Sequence, residues 1–439
     1  MPNLSWLIVF NFENNLCIMR GMAIFMERVI IHCDLNNFYA SVECLYNPDL
    51  RDKPVAVCGS QDLRHGIVLA KNYIAKKTGI ITGEAIWQAR QKCPNLVVLN
   101  PNYSLYLRFS KEAREIYSRY TSLIEAFGID ECWIDVTEST SLFGTGERIA
   151  QEIRERIKTE LGITASIGVS FNKIFAKLGS DMKKPDAVTC ISTENFKHTV
   201  WQLPVGELLY VGRSTKKKLN RIGIMTIGDL ANVSPSVLRN ILGKWGDTLW
   251  IFANGMDESL VTATDYENII KGIGNSMTTA RDLVNNEDVI LTLYVLSESV
   301  AERLRKHNLK GKTVQISIRD NELACIERQS KLQNASFISK EIAKKSMSIF
   351  LSNWNWSKSI RSLGVRVTDL VTADTCTQLS LFDDYNRRIR LESLETSIDE
   401  IRKRFGHYAV QRALLLKDKA LNSNPIEENI IHPVSFFNG

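Results

Sequence analysis

The run FGIDECWIDVT, Phe127 to Thr137, sets two carboxylates, Asp130 and Glu131, side by side among apolar residues. Burying charge in such company is costly unless a cation offsets it, and a metal ion is the first candidate. On a regular strand adjacent side chains point to opposite faces, so a shared ion requires a turn or bulge at this pair, and Gly128 permits one. A polar hairpin turn with no chemistry is the competing reading of the segment taken alone. A third acid, Asp34, ends the β-branched run Val29-Ile30-Ile31-His32-Cys33-Asp34, which reads as a strand and is followed by the helix-like LNNFYASVECLY. Acids at strand ends from distant parts of the chain suit a two-metal centre, in which hard Mg²⁺ ions take oxygen ligands and bracket a phosphoryl group.

The elements that must hold these acids belong to a chain of 439 residues, 44% hydrophobic and 24% charged, an ordinary globular balance. That length suits about three domains. The net charge of +6 is concentrated in Lys216-Lys217-Lys218, Lys183-Lys184, Arg402-Lys403-Arg404 and the run Arg303 to Lys312. Such clusters suit a polyanionic partner, although basic runs are also ordinary solvated faces. Nine cysteines without a CxxC, and six histidines without ligand spacing, argue against zinc and a disulfide framework and fit a reducing cytosol. The apolar run Leu4 to Phe10 is too short to cross a bilayer and lacks the basic flank of an export signal, so no membrane is expected.

Together, HCDLNNFYASVE, GIDECWIDVT and SIGVSFNKIFAKLGSDMKKPDA resemble the palm of the bacterial Y-family translesion DNA polymerases, the DinB (polymerase IV) and UmuC group. The likeness runs from about Arg28 to Leu370. It implies a mixed α/β (α+β) multidomain fold with the architecture of a right hand. A palm is expected at 28–37 and 103–200, fingers at 38–102, a helical thumb at 201–270, a βαββαβ little finger at 271–371 and a tail at 372–439. Residues 1–27 match nothing in the family; Met22 or Met26 would make natural starts, and a real anchor helix is the alternative.

The implied activity is low-fidelity, template-directed synthesis from deoxynucleoside triphosphates across damaged DNA, without proofreading, by a cytoplasmic, nucleoid-associated monomer. In the resemblance Asp34, Asp130 and Glu131 hold two Mg²⁺ ions with the backbone carbonyl of Leu35, and Asp135 is structural. Tyr39 is the steric gate beneath the incoming sugar; a helix-face core aromatic is its other reading. Tyr73, Lys76 and Lys184 take the triphosphate, with Lys76 a point charge where many relatives carry the planar fork of arginine.

Further along, VGRSTKKKLNRIGI resembles a helix-hairpin-helix, with Gly212 and Lys216, Lys217 and Lys218 offered to DNA phosphates. Tyr210 sits where the first hairpin glycine is usual. Lys271-Gly272-Ile273-Gly274 reads as a linker, and the little-finger sheet is expected to straddle backbone phosphates. Gln378-Leu379-Ser380-Leu381-Phe382 resembles the bacterial sliding-clamp (β clamp) pentapeptide, a packing staple being the alternative. Leu391, Leu394, Ile398, Ile401 and Phe405 form an amphipathic stripe read as packing or partner-binding. Two other function classes compete: a catalytically silent, clamp-tethered repair scaffold or a UmuC-like subunit needing an accessory protein, where the intact acids argue against a scaffold; and a palm-bearing nucleotide cyclase, which would have no use for the thumb-like hairpin or the DNA-gripping domain.

Overall fold

Ile30–Leu35 forms β1 with all six residues buried. It lacks the alternation of a half-exposed strand because it lies inside a sheet covered on both faces. The computed structural model describes residues 27–60, 66–266, 269–375 and 385–424; Met22, Met26 and the pentapeptide Gln378 to Phe382 lie outside the described residues.

After β1 come α1 (Phe38–Tyr46), β2 (Val55–Cys58), β3 (Val68–Lys71), α2 (Tyr73–Lys77), α3 (Ile86–Lys92) and β4 (Val97–Leu99). The small sheet β3-β2-β4 has its own core of Ala56, Val68, Ile80, Ile86 and Leu96. Although α1 falls within the stretch read as fingers, Phe38 and Val42, one helical turn apart, point instead into the core under β1.

The chain then forms α4 (Tyr103–Tyr117), β5 (Ile124–Ala126), β6 (Glu131–Asp135), α5 (Thr140–Phe143), α6 (Gly146–Arg156), β7 (Ala165–Ser170), α7 (Lys173–Met182) and β8 (Val188–Ile191). The five-stranded sheet runs β5-β6-β1-β7-β8, with β1 antiparallel to both neighbours. Tyr106, Ile116, Ile149 and Ile153 of α4 and α6 fill one face. Helix α7 covers the other at very short range: a Cβ on Gly168 of β7 would lie 1.9 Å from the Ala176 carbonyl oxygen. That glycine brings the polar face of α7 down onto the strand ends that carry the acids.

Helices α8 (Phe196–Thr199), α9 (Arg213–Asn220), α10 (Ile227–Asn232), α11 (Pro235–Leu242) and α12 (Lys244–Ala253) surround a third core. Phe175 and Leu178 of α7 enter it too, so α7 is shared with the sheet. The last sheet is β11-β10-β12-β9, all antiparallel, built from β9 (Gly272–Leu283), α13 (Asn286–Lys306), β10 (Leu309–Asp320), β11 (Cys325–Ser336), α14 (Ser339–Asn353) and β12 (Ile360–Thr372). The βαββαβ order is as expected. The KGIG stretch differs from its reading as a linker: Gly272, Ile273 and Gly274 pair with Thr368, Val367 and Arg366. Ile273 is buried, and Gly274 leaves the room that the Arg366 side chain takes.

Helix α15 (Tyr385–Phe405) docks on this last unit by a face that only partly overlaps its apolar stripe. Leu391 packs against the core, but Leu394, Ile401 and Phe405 stay exposed. The docked face is ionic. Arg305 of α13 pairs with Glu395 at 3.1 Å and Asp399 at 2.5 Å, Glu298 receives Arg402 at 2.9 Å and Arg412 at 2.5 Å, and Ser339 Oγ donates to Glu395 at 2.5 Å. Leu415 and Leu421 beyond it are buried in the same core. The described part of the stretch read as a tail is therefore packed structure.

Candidate active site

The acids meet through register. Asp34 at the end of β1 lies directly opposite Glu131, the first residue of β6, so both side chains leave the same face of the sheet. Asp130 precedes the strand in a tight turn, where the N–H groups of Phe127 and Gly128 both donate to the Glu131 carbonyl at 3.0 and 3.2 Å. Gly128 serves this turn by size: a Cβ there would stand 3.3 Å from Asp130 Oδ1. The Asp130 carbonyl accepts the Leu35 N–H at 3.0 Å, which ties the turn to the end of β1. The turn that the adjacent acids require is present. Asp135, two positions along the face from Trp133, is spent on structure: its Oδ1 accepts the N–H and the hydroxyl of Thr137 at 3.0 and 2.6 Å.

Cations from α7 and the loop after it stand among these acids. Lys177 Nζ lies 3.3 Å from Asp34, 3.1 Å from Glu131 and 3.1 Å from Asp181, and Lys184 Nζ lies 2.7 Å from Asp34 and 2.9 Å from Asp181. Burial pulls both lysine pKa values down, but the facing carboxylates outweigh it and hold them above the ordinary value. Asp130 is pushed up to about 6, by burial first and Asp34 second. Glu131 is pushed up to about 7 by burial, against the pull of Lys177 and with the repulsion of Asp34 and Asp130. The two lysines do not neutralise the cluster.

His32 lies beneath it, fully buried against Trp133 at 5.4 Å. Ser180 Oγ donates to the Lys177 carbonyl at 2.7 Å and so accepts from His32 Nδ1 at 2.9 Å. This leaves Nε2 as a lone pair without a hydrogen-bond partner, 3.6 Å from Glu131 Oε2, which faces Lys177 Nζ at 3.1 Å. Burial, then Lys177 and Lys184, keep the imidazole pKa well below its ordinary value. Neither Lys177 nor His32 was singled out from sequence. The available signal was spacing: Lys173, Lys177 and Asp181 recur every four residues along one face of α7.

The structure also brings the other small-molecule candidates here. Tyr39 stacks on Tyr106 with ring centroids 4.3 Å apart, and burial, Tyr103 and Asp130 raise its phenol pKa. Tyr73 feels burial first, then Lys184 and Asp34, while exposed Lys76 sits over its ring at 5.6 Å. Gly212 caps α9, and Lys216, Lys217 and Lys218 are exposed along that helix, in the separate helical core rather than among the acids.

Sequence and fold comparisons bear on the family and the fold. The impB/mucB/samB family model matches residues 33–181, its C-terminal domain model 270–381, and the DNA polymerase-iota thumb model 207–257. DNA polymerase IV of Acetivibrio thermocellus is 64% identical over 397 residues, spanning 90% of this chain and 100% of that protein. The chain belongs to the Y-family DNA polymerases. DNA polymerase IV of Clostridium acetobutylicum is 37% identical over 398 residues, covering 89% of this chain and 99% of that protein. DNA polymerase IV 2 of Bacillus subtilis is 37% identical over 397 residues, covering 89% and 95%. A solved Y-family DNA polymerase chimera shares the fold, with a TM-score of 0.69 at 22% identity, covering 78% of this chain and 99% of that one.

For a Y-family polymerase a divalent ion is implied, and the residues present fit one. Among the described residues no three acids, histidines or cysteines are gathered round one point. The donors at hand are nevertheless oxygens, which suit a hard cation. Asp34 and Glu131 stand opposite each other across β1 and β6 beside the turn that carries Asp130, and two of the acids hold protons more tightly than free carboxylates do. The sign of the linkage follows. Because the folded pKa values are raised, the ion-free protein binds protons on folding and loses stability as pH rises from the unfolded carboxylate range through about 6 and 7. A dication must displace those protons, so the gain in Tm on adding Mg²⁺ is expected to be larger at pH 8 than at pH 5.5. Equal gains at the two pH values in scanning calorimetry would place ion binding elsewhere.

Proposed function

We propose that this polymerase extends primers across damaged or irregular template, with Asp34, Asp130, Glu131 and the Leu35 carbonyl as ligands of two Mg²⁺ ions. The observation that carries the reading is the cross-strand pairing of Asp34 with Glu131, next to the turn that sets Asp130 on the end of β1. Template-directed DNA synthesis on primer-template DNA is the activity of the family to which the chain belongs.

Bound there, divalent ions supply acidification of the primer 3′-hydroxyl and charge neutralisation at the leaving pyrophosphate. The chain's own groups do the positioning. Lys177, its side chain only 11% exposed, links the carboxylates of the two strands and keeps them from spreading apart. Lys184, Tyr73 and Lys76 are assigned to the triphosphate, where ammonium charges and a phenol donor match its oxygens. Tyr39 is assigned as the floor under the sugar, and its stack on Tyr106 supports that role by leaving the ring little freedom to yield. Primer extension by the purified chain alone, on intact and abasic templates, tests the function. Failure on intact template with Mg²⁺ present would mean that an accessory subunit is required or that the chain is a scaffold.

The small β3-β2-β4 unit, the helical unit around α9 and the four-stranded C-terminal unit are assigned as fingers, thumb and little finger, the last two gripping duplex phosphates. Gln378 to Phe382 is assigned to the sliding clamp. Tethering to a ring on the same DNA raises the local concentration of an enzyme that otherwise dissociates at physiological salt. Leu381→Ala with Phe382→Ala is therefore expected to leave synthesis on short primers intact and to remove clamp stimulation of longer products. Native clamp affinity of that double variant in calorimetry would make the segment a packing staple.

A further inference from the structure

We propose that Tyr210 and Trp245 form an aromatic ledge on which a deoxyribose of the primer-template duplex packs, beside lysines that hold the neighbouring phosphates. The proposal rests on the assignment of the helical unit as a DNA-gripping thumb and adds a contact that its glycine and lysines do not describe.

Tyr210 adopts a left-handed backbone, φ 69°, which is disfavoured for a residue with a Cβ. It nevertheless keeps a large ring, 52% exposed, at that turn. The ring is held rather than loose. Its centroid lies 5.6 Å from that of Trp245, tilted 41°, and 6.2 Å from that of Phe252, tilted 34°. Trp245 is 54% exposed for a reason in its neighbour: a Cβ on Gly246 would meet the Leu238 carbonyl oxygen at 2.4 Å, so that side of α12 is pressed against α11 and Trp245 faces out.

The surroundings choose the occupant. Gly212 caps α9 with nothing within 4 Å of a hypothetical Cβ, leaving its backbone open to close approach. Arg213, Lys216, Lys217, Lys218 and Lys244 are exposed, and among the described residues none of them is ion-paired. The Lys216 stem is anchored across Gly206, where a Cβ would stand 2.8 Å from its Cδ. Unpaired cations around a rigid aromatic surface complement a strand that presents phosphates alternating with apolar sugar faces. A protein partner would need a run of acids to satisfy the same five charges.

The test is titration of the full chain with labelled primer-template duplex at several salt concentrations, alongside thermal melting. Tyr210→Asn, which tolerates the left-handed backbone, and Trp245→Ala are each expected to weaken binding roughly fivefold, the scale of a partly buried aromatic contact. The dependence of log affinity on log salt should be unchanged in both, and Tyr210→Asn should melt no lower than the parent. Lys217→Gln should weaken binding and lower the salt slope by about 0.9, the value for one phosphate contact. Aromatic variants that bind like the parent while Lys217→Gln weakens binding would overturn the ledge and keep the thumb. If all three variants bind like the parent, the thumb assignment falls with it.

Discussion

Asp130→Ala and Glu131→Ala are each expected to abolish Mg²⁺-dependent primer extension, with a loss of at least about a thousandfold in single-turnover rate. Several kcal/mol of transition-state charge stabilisation depend on such ligands. Duplex affinity should change little, because the proposed grip on duplex phosphates lies far from the acids. The structure adds a second, opposite-signed expectation. Burial and Asp34 push the Asp130 carboxyl up to about 6, so at pH 8 its charge works against the folded state in the ion-free protein. Asp130→Ala should therefore raise the Tm measured in chelator while it removes activity. A variant that extends primers at near-parental rate would refute the ligand assignment, and a lowered Tm in chelator would refute the electrostatic account.

The second large effect is on sugar choice. Tyr39→Ala is expected to raise the ratio of ribonucleotide to deoxynucleotide incorporation roughly 10- to 200-fold, the range set by close steric discrimination. On the proposed assignment the ring would exclude a hydroxyl because it is buttressed: Tyr106 stacks on it at 4.3 Å and 9°, Tyr103 meets it edge-on at 5.8 Å, and Tyr106 in turn donates to Glu43 Oε1 at 2.7 Å. Removing a half-buried ring should also cost about 1–2 kcal/mol of stability. Paired efficiencies for UTP and dTTP, with a melt of the same preparation, separate the two roles. A lowered Tm with an unchanged ratio would make Tyr39 a packing residue only.

Particular residues show why some of this was legible in advance. Asp34 and the Asp130-Glu131 pair stood out because charge beside β-branched and aromatic neighbours is rare without a counter-ion. The alternation of strand and helix from Ser276 to Leu370 was readable because local period and turn signals bound each element, although α13 is buried almost all round from Leu291 to Ala301. Lys271 to Gly274 was misread because two glycines in four residues signal a linker locally, whereas their pairing with Thr368 and Arg366 depends on a strand almost a hundred positions away. The stripe of α15, read as packing or partner-binding, is divided: Leu391 packs on the core while Leu394, Ile401 and Phe405 stay exposed, because hydrophobic period predicts which face is buried only when the docking surface is apolar.

By itself, the sequence offered the alternation of strands and helices and two acidic sites beside apolar residues, since propensity, periodicity and the cost of burying charge all act locally, while its resemblance to the family implied the mixed α/β hand and which three acids would be ligands. Only the tertiary structure decided which cations face those acids, that Lys177 joins Asp34 to Glu131, that His32 Nε2 is left without a partner, and that α15 docks through Glu395, Asp399 and Arg402. The physical reason is the nature of the interaction. The strength of a charge pair depends on a separation of a few ångströms and on exclusion of water, and both are products of strand register and helix approach between segments as far as 150 residues apart, as for Lys184 and Asp34.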